Sequence, residues 1–219
     1  ISVRLVGSEM CIRDRDTEDQ VNVTSELLFD LNSGFPMDRL ICGDVGFGKT
    51  EVALRGAFNV AMSGSQVAFI VPTTLLCRQH YQNFTKRFHN FPLNIEQISR
   101  LNSTAENNEI IERINSGECD IVVGTHALLN NKIKFKKLGM LIIDEEQHFG
   151  VSQKEKIKSL RSNVHVLALT ATPIPRTLQM SLVGLRDLSI ISTAPLNRQN
   201  INTEVIDFNN KKITAAIEA

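Results

Sequence analysis

The sequence predicts an α/β fold in which a mostly parallel sheet is covered by helices on both faces. Two observations carry this prediction. Short apolar runs alternate with longer amphipathic segments along most of the chain, which is typical of buried parallel strands joined by helices. In addition, one apolar run leads through a glycine-rich segment directly into a segment of helical pattern, as at the start of a strand–loop–helix unit.

The predicted elements follow one another from residue 16. Residues 16–34 have a helical pattern with an acidic first turn and a stop at Gly34. The predicted strands cover residues 39–42, 66–71, 94–99, 119–124, 138–144 and 164–170. The predicted helices between them cover residues 51–62, 73–88, 104–117 and 154–161. The helix over 73–88 places four side chains near one face, namely Leu76, His80, Phe84 and Phe88.

The two ends of the chain stand apart from this pattern. Residues 1–15 show neither helical nor strand periodicity, and we interpret them as a non-native leader, with a genuine disordered N-terminus as the alternative. Residues 198–219 have the pattern of a linker, a strand and the opening of a helix. We therefore expect one domain over residues 16–197, followed by the truncated start of a second one.

Composition and charge indicate a globular protein with a hydrophobic core. Apolar residues make up 42% of the chain and charged residues 22%, which are ordinary shares for such a protein. The formal net charge is zero, so contact with nucleic acid would have to come from local loops rather than from a global positive field. We find no secretory signal and no apolar run long enough to cross a bilayer, and we expect a cytoplasmic protein.

The cysteines and the isolated histidines give no sign of a metal centre. The four cysteines, Cys11, Cys42, Cys77 and Cys119, lie far apart and form no C-x-x-C pair, which argues against structural zinc and a disulfide framework. Cys42 and Cys119 lie in or beside predicted strands, where a buried free thiol is the usual interpretation. His126 and His148 have no ligand spacing around them, and we interpret neither as a metal ligand.

The glycine-rich segment Gly43–Thr50, GDVGFGKT, matches the phosphate-binding template G-x-x-x-x-G-K-[ST] at every fixed position. Glycines let the backbone turn tightly enough to point successive N–H groups at phosphate oxygens, and the following helix presents its positive end to the same anion. Lys49 would reach the β and γ phosphates, and the Thr50 hydroxyl would bind Mg²⁺. The candidate nucleotide ligands are Gly43, Asp44, Val45, Gly46, Phe47, Gly48, Lys49 and Thr50. We expect the chain to bind a nucleoside triphosphate.

A second group of candidate residues follows an apolar strand in the segment LIIDEEQ, residues 141–147. In a sheet that also carries a phosphate loop, Asp144 at the strand end can orient Mg²⁺ through water, and Glu145 can act as the general base. The alternative for these two acids is a solvated loop. Gln147 would contact the γ-phosphate region and the neighbouring loop TATPIPRT, residues 170–177, as a coupling residue. The candidates on that loop are Thr170, Ala171, Thr172 and Arg176, of which Arg176 has a surface arginine as its alternative.

Polar residues also follow three other predicted strands. They are Thr73, Thr74, Ser99, Arg100, Gly124, Thr125 and His126. Ligands of open parallel sheets bind at the carboxyl ends of the strands, and threonine hydroxyls and helix-start N–H groups suit nucleic-acid phosphates without reading bases. We interpret this set as a DNA track across from the nucleotide site, with a helix N-cap as the alternative for each residue taken alone.

Five segments in this order, GDVGFGKT, PTTLL, GTHALL, DEEQ and TATPIPRT, resemble the first motor lobe of superfamily two helicases and translocases. Residues 38–55, 141–158 and 167–191 resemble bacterial transcription-repair coupling factors in particular, and the resemblance runs from about residue 16 to the end. RecG-type helicases typically have a DEQH-type box where this chain has DEEQ. His148 stands where many coupling factors have arginine, a departure that leaves the ATP chemistry untouched.

The resemblance implies a RecA-like phosphate-loop fold and an ATP-driven translocase on double-stranded DNA, with ATP and Mg²⁺ as cofactors. It further implies displacement of stalled RNA polymerase and recruitment of an excision-repair protein through domains outside this chain. Lys49, Asp144, Glu145 and Gln147 are the implied catalytic residues. Gln20 lies where helicases often place an adenine-reading glutamine, with a surface glutamine as the alternative. Since such motors use an arginine from a second lobe, we expect these 219 residues alone to bind ATP weakly and hydrolyse it very slowly.

Three other functions are alternatives to this one. A fork-remodelling helicase lobe of the RecG type would unwind branched DNA without acting on stalled polymerase. A phosphate-loop kinase or nucleotide switch would act on a small molecule and ignore DNA, but the DEEQ and TATPIPRT segments have no evident role there. A non-catalytic interaction module would keep only the fold, and the intact Lys49, Thr50, Asp144 and Glu145 argue against it.

Overall fold

The computed structural model describes residues 16–150, 164–172 and 186–195, together with residues 153, 156, 208, 210, 213 and 214. The helices in these ranges are α1 (Glu18–Leu31), α2 (Lys49–Met62), α3 (Thr74–Phe88) and α4 (Thr104–Ser116). The strands are β1 (Asp38–Gly43), β2 (Gln66–Ile70), β3 (Ile95–Ile98), β4 (Ile121–Gly124), β5 (Leu138–Asp144), β6 (His165–Thr170) and β7 (Asp187–Ile191). Short 3₁₀ turns cover His126–Leu129 and Glu146–His148.

The strands form one seven-stranded sheet in the order β3-β4-β2-β5-β6-β1-β7. Every pairing between neighbours is parallel, so the predicted α/β fold with a mostly parallel sheet is confirmed. Because parallel strands end at the same edge, this carboxyl edge has two halves. The ends of β5, β6 and β1 lie side by side in one half, and the ends of β3, β4 and β2 lie in the other.

Alternate residues of the central strands face two different hydrophobic cores. On β2, Val67 and Phe69 pack in the core that contains Leu27 of α1 and Phe84 of α3. Ala68 and Ile70, the intervening residues, pack in the core that contains Ile110 and Ile114 of α4. Helices therefore cover both faces, which is why the strand sequences are continuously apolar instead of alternating.

The described cysteines behave as buried packing residues. Cys42, Cys77 and Cys119 are free and buried, which confirms the prediction for Cys42 and Cys119. Burial raises the pKa of the Cys77 and Cys119 thiols to about 12, so both thiols are protonated and unreactive at neutral pH. Cys11, like the rest of residues 1–15, lies outside the described part of the chain.

The edge strand β7 was not predicted from the sequence. Its residues alternate irregularly, with Asp187 and Ile190 exposed and Ser189 buried. A long-range polar cluster explains the buried serine, since Arg39 of β1 donates to Ser189 Oγ at 2.6 Å and to Asp30 Oδ2 of α1 at 2.6 Å. The cluster ties α1, β1 and β7 together. Most of the predicted helix over 154–161 and most of residues 198–219 lie outside the described part of the chain.

His165 anchors the loop that precedes β1. Its Nδ1 accepts a hydrogen bond from the backbone N–H of Met37 at 3.2 Å, and burial lowers the pKa of His165 below its usual value of 6.5 while Asp30 opposes the shift. A lowered folded-state pKa means that the unfolded chain binds the proton more tightly. The free energy of unfolding should therefore fall as the pH falls through about 6.5 towards the folded-state pKa.

His165→Asn keeps a hydrogen-bond acceptor near Met37 but cannot titrate. We expect its free energy of unfolding to fall less steeply between about pH 7 and pH 5 than that of the unchanged chain. Urea unfolding curves at several pH values measure the two slopes. At about pH 8 the imidazole is neutral in both the folded and the unfolded state. The difference in the free energy of unfolding between the two proteins at that pH therefore reports packing alone. Equal slopes for both proteins below pH 7 would show that His165 has no part in the pH dependence.

None of the helices in the described ranges combines the length and the apolar character that a membrane span requires.

Candidate nucleotide site

The phosphate loop connects the end of β1 to the start of α2, and its glycines are required by its shape. Gly46 and Gly48 have φ values of 82° and 83°, in the left-handed region that favours glycine. A Cβ at Gly43 would lie 2.9 Å from the backbone oxygen of Ile191 on β7, so a side chain there would displace the neighbouring strand. The sequence therefore builds a narrow loop with the N-terminus of α2 at its base.

Lys49 lies inside this loop and is only 9% exposed. Its ammonium donates to the backbone oxygens of Gly43 at 2.6 Å and Asp44 at 3.0 Å. Burial lowers the pKa of Lys49, and the nearby carboxylates of Glu145 and Asp144 are the strongest opposing influences. The loop lysine and the two acids of the DEEQ segment thus act on one another electrostatically.

Thr50 and Asp144 supply oxygen atoms at the same carboxyl edge. Thr50 is half-buried in the first turn of α2, and its hydroxyl makes no hydrogen bond to any other residue within the described ranges. Asp144 ends β5, opposite Leu169 of β6. Hydroxyl and carboxylate oxygens are the donors that Mg²⁺ prefers, so the donor set at this edge fits that cation.

Glu145 has a strained backbone, and its carboxylate is held on both sides. Its φ and ψ of 52° and 57° lie in the left-handed region, which is a recurring property of residues at functional sites. The carboxylate accepts the backbone N–H of Ala171 at 3.1 Å through Oε1 and the side-chain amide of Gln147 through Oε2. The loop after β6 therefore donates a hydrogen bond to the residue that we predict as the general base.

The predicted coupling residues lie together. The Thr170 hydroxyl lies 3.5 Å from Gln147 Oε1 and 2.8 Å from the Thr172 hydroxyl. Gln147 is exposed and Thr170 is buried. The structure thus places Gln147, Thr170, Ala171 and Thr172 around Glu145, whereas Arg176 and the side chain of His148 lie outside its described part. The coupling role of Gln147, Thr170, Ala171, Thr172 and Arg176 stays a prediction.

Gln20 supports the phosphate loop from α1. It is only 7% exposed, so the surface alternative for this residue is wrong. Its side-chain amide donates to the Phe47 backbone oxygen at 2.9 Å, while its Oε1 accepts the Thr17 N–H at 3.1 Å. A Cβ at Gly48 would lie 2.1 Å from Gln20 Nε2. Gln20 therefore fixes the loop and the start of α1 at once, and contact with adenine stays a prediction.

The predicted DNA track lies on the same carboxyl edge as the nucleotide site, in the half formed by β3, β4 and β2. Its expected position across from the nucleotide is therefore wrong, because all strands are parallel and the two sets of loops end side by side. Of the predicted track residues, Thr73, Arg100 and His126 are exposed and Thr74 is half-buried. These four side chains are accessible to a ligand.

Three predicted track residues are buried and have structural roles instead, and the exposed Thr73 also caps α3 by accepting the Leu76 N–H. Ser99 and Thr125 are 1% and 2% exposed, and their hydroxyls accept backbone N–H groups of Leu101 and Ala127. A Cβ at Gly124 would lie 2.5 Å from a side-chain atom of Leu128, so this glycine is explained by packing. The side chains of Ser99 and Thr125 accordingly do not face a ligand in this conformation.

Two residues that contact the acidic segment were missed from the sequence. His80 Nε2 lies 3.2 Å from Asp144 Oδ2. The sequence pattern predicts only that His80 lies on one face of α3 with Leu76, Phe84 and Phe88. A histidine within an otherwise apolar face was the available signal. Arg186 pairs with Glu146 Oε2 at 3.0 Å and with Asp38 Oδ1 at 2.7 Å, and no local pattern marks this long-range contact.

Together, the loop, its lysine and the carboxylates at the end of β5 define the class of the protein as a RecA-like phosphate-loop lobe. Comparison with known proteins agrees. The family model for DEAD/DEAH box helicases matches residues 17–181. The chain belongs to the DEAD/DEAH box helicase family.

Comparison with individual relatives identifies a narrower group within this family. The transcription-repair-coupling factor of Bacillus subtilis is 52% identical over 204 residues, which are 93% of this chain and 17% of the relative. That of Rickettsia prowazekii is 57% identical over 197 residues, 88% of this chain and 18% of the relative. The predicted resemblance to coupling factors is thereby confirmed, and the chain spans less than a fifth of the length of these relatives.

Solved structures show the same fold. A structure of RecG bound to a three-way DNA junction superposes with a TM-score of 0.77 at 32% identity, covering 93% of this chain and 27% of RecG. The helicase MrfA bound to DNA gives a TM-score of 0.59 at 15% identity, covering 80% of this chain and 27% of that protein. The second likeness concerns the fold alone.

Proposed function

We propose that this chain is the ATP-binding motor lobe of a double-stranded DNA translocase of the transcription-repair coupling kind. The observation that carries the proposal is the position of Lys49, Asp144 and Glu145 at the same carboxyl edge of the sheet, after the adjacent strands β1, β6 and β5. The two carboxylates there oppose the lowering of the Lys49 pKa by burial. A phosphate-loop kinase is disfavoured by the match to the helicase family. The RecG-type alternative is disfavoured because the coupling factors are the more similar relatives, at 52% and 57% identity against 32%.

In this proposal the loop N–H groups and the Lys49 ammonium bind the β and γ phosphates of ATP. Thr50 and Asp144 would hold Mg²⁺, which would neutralise charge that develops on the phosphates. Glu145 accepts the proton of the attacking water. Because the Glu145 carboxylate accepts hydrogen bonds from Ala171 and Gln147, a displacement of the loop after β6 changes the position of the base. This link would couple hydrolysis to movement.

Duplex DNA would lie along the other half of the carboxyl edge, over Thr73, Thr74, Arg100 and His126. The accessible side chains there, together with the N-terminus of α3, suit phosphate contacts and offer no base readout. Displacement of RNA polymerase, recruitment of an excision-repair protein and a cytoplasmic location are proposed from the name of the relatives. Because this chain covers less than a fifth of those relatives, these activities and partners are proposed for a protein that contains this lobe and not for the lobe alone.

Nucleotide and DNA binding by the chain test the proposal together. We expect a fluorescent ATP analogue to bind and to be displaced by ATP, and a labelled duplex to bind with an affinity that falls as salt rises. The slope of log affinity against log salt is negative, and Arg100→Ala should make it less negative by about one. Lys86→Ala, at an exposed lysine in the last turn of α3, should leave the slope unchanged. Phosphate transfer to a metabolite with no affinity for DNA would favour the kinase alternative.

A further inference from the structure

His80 contacts a carboxylate of the proposed metal site from within the hydrophobic core. It lies on α3, and its Nε2 is 3.2 Å from Asp144 Oδ2, with side-chain exposures of 6% for the histidine and 13% for the aspartate. No other hydrogen bond to the Asp144 carboxylate is present among the residues that the structure describes. His80 is therefore the side chain in these ranges that hydrogen-bonds to this carboxylate.

The imidazole ring itself is held in place by aromatic packing. Its centroid lies 4.7 Å from that of Phe69 on β2, and Phe84, one turn further along α3, packs edge-on against the same Phe69 at 5.3 Å. Packing of this kind restricts rotation of the ring and favours one direction for the hydrogen bond to the carboxylate.

The surroundings of the two ring nitrogens identify the hydrogen-bond donor. Nδ1 is buried and has no partner among the described residues. A proton on Nδ1 would be a buried donor without an acceptor, and it would leave the Nε2 lone pair facing a carboxylate oxygen, so both arrangements are unfavourable. The stable form carries the proton on Nε2 and donates it to Asp144.

Packing alone does not explain a histidine at this position. A buried polar atom without a partner loses its hydration without compensation, and an apolar side chain of similar size would fill the space without that cost. Hydrogen-bond donors behind a metal-binding carboxylate fix its geometry and are typically worth about 10–100-fold in metal affinity or activity. His80 stands in the position of such a donor.

We propose that His80 is a positioning residue: its Nε2–H holds one oxygen of Asp144, so that the carboxylate is oriented to receive the Mg²⁺ of the bound nucleotide. This inference rests on the proposed role of Asp144 in the nucleotide site. It predicts that His80 contributes to the metal-dependent part of nucleotide affinity and leaves the metal-independent part unchanged.

The metal-dependent part is the ratio of the affinities for a fluorescent ATP analogue measured with Mg²⁺ and with EDTA. We expect His80→Leu to lower this ratio about 10-fold and to leave the affinity in EDTA within about 2-fold. His80→Gln, which retains an N–H donor, should stay within about 3-fold of the unchanged ratio. The matched control is Phe84→Leu, which disturbs the same packing against Phe69 without touching Asp144.

The outcomes separate the inference from the proposed function. If Asp144→Asn lowers the ratio of the affinity with Mg²⁺ to that with EDTA and His80→Leu leaves this ratio unchanged, the role of His80 is overturned and the proposed function stands. An unchanged ratio in Asp144→Asn would overturn both. An equal loss in Phe84→Leu and His80→Leu would assign the effect to packing and overturn the inference.

A measurement on the unsubstituted chain covers the case in which His80→Leu does not fold. Long-range ¹H–¹⁵N NMR spectra of the histidine rings report which nitrogen carries the proton. We expect the Nε2–H form for His80, with signals that shift in Asp144→Asn. Finding the proton on Nδ1, or no response of His80 to Asp144→Asn, would overturn the proposal.

Discussion

Glu145→Gln is expected to lower ATP hydrolysis by at least about 100-fold, the lower end of the contribution of a positioned general base, while ATP affinity changes by less than about 3-fold. The amide keeps the size of the side chain and can still accept the Ala171 N–H through its oxygen. It cannot take a proton from water, so the chemical step is lost and the binding interactions are not. Because the single lobe is expected to bind ATP weakly and hydrolyse it very slowly, phosphate release is followed for long times from a trace of ATP, with the chain in large excess over nucleotide, which measures the hydrolysis step alone.

Glu146→Gln is the matched control for this prediction. The neighbouring acid pairs with Arg186 at 3.0 Å and has no role in the proposed chemistry, so its replacement should leave hydrolysis within about 3-fold of the unchanged rate. If Glu145→Gln hydrolysed ATP as fast as Glu146→Gln, the assignment of the general base would be wrong.

Lys49→Met is expected to weaken ATP binding about 100-fold. Two charge-assisted hydrogen bonds from the ammonium to phosphate oxygens would account for about 3 kcal/mol, which corresponds to that factor. Methionine preserves most of the aliphatic stem. Burial of the ammonium is unfavourable and lowers the pKa of Lys49, whereas its hydrogen bonds to the backbone oxygens of Gly43 and Asp44 are favourable. Because methionine removes both effects, the unfolding temperature should change little.

Titration with a fluorescent ATP analogue and thermal unfolding measure the two effects of Lys49→Met separately. Lys86→Met, the same substitution at an exposed lysine, is the control and should leave ATP affinity unchanged. Retained affinity in Lys49→Met would mean that the triphosphate does not bind in this loop. A large loss of stability together with the loss of affinity would instead assign Lys49 a structural role.

The features that could be predicted from the sequence are those with local determinants. The strands β2, β4, β5 and β6 are continuous apolar runs because both of their faces are buried, and such runs are visible in any short window. The phosphate loop is equally local, since its glycine conformations, its lysine and its threonine lie within Gly43–Thr50. Asp144 and Glu145 could be located because they directly follow an apolar strand.

The features that could not be predicted depend on contacts between distant segments. β7 contains the buried Ser189, whose hydroxyl accepts a hydrogen bond from Arg39, 150 positions away in the sequence. Without that partner a buried serine would be unfavourable. The partner of Asp144 is His80, 64 positions away. Gln20 appeared equally suited to the surface because its acceptor, the backbone oxygen of Phe47, lies 27 positions further along the chain. Ser99 and Thr125 were assigned to a DNA track because burial of a hydroxyl cannot be inferred from its position after a strand.

A crystal structure of the chain with Mg²⁺ and a non-hydrolysable ATP analogue tests the central claim most directly. We expect the phosphates within Gly43–Thr50, the Lys49 ammonium moved from the backbone oxygens of Gly43 and Asp44 onto the phosphates, and the cation on the side of Thr50 and Asp144. A nucleotide bound elsewhere on the sheet, with Lys49 still donating to those two backbone oxygens, would contradict the account.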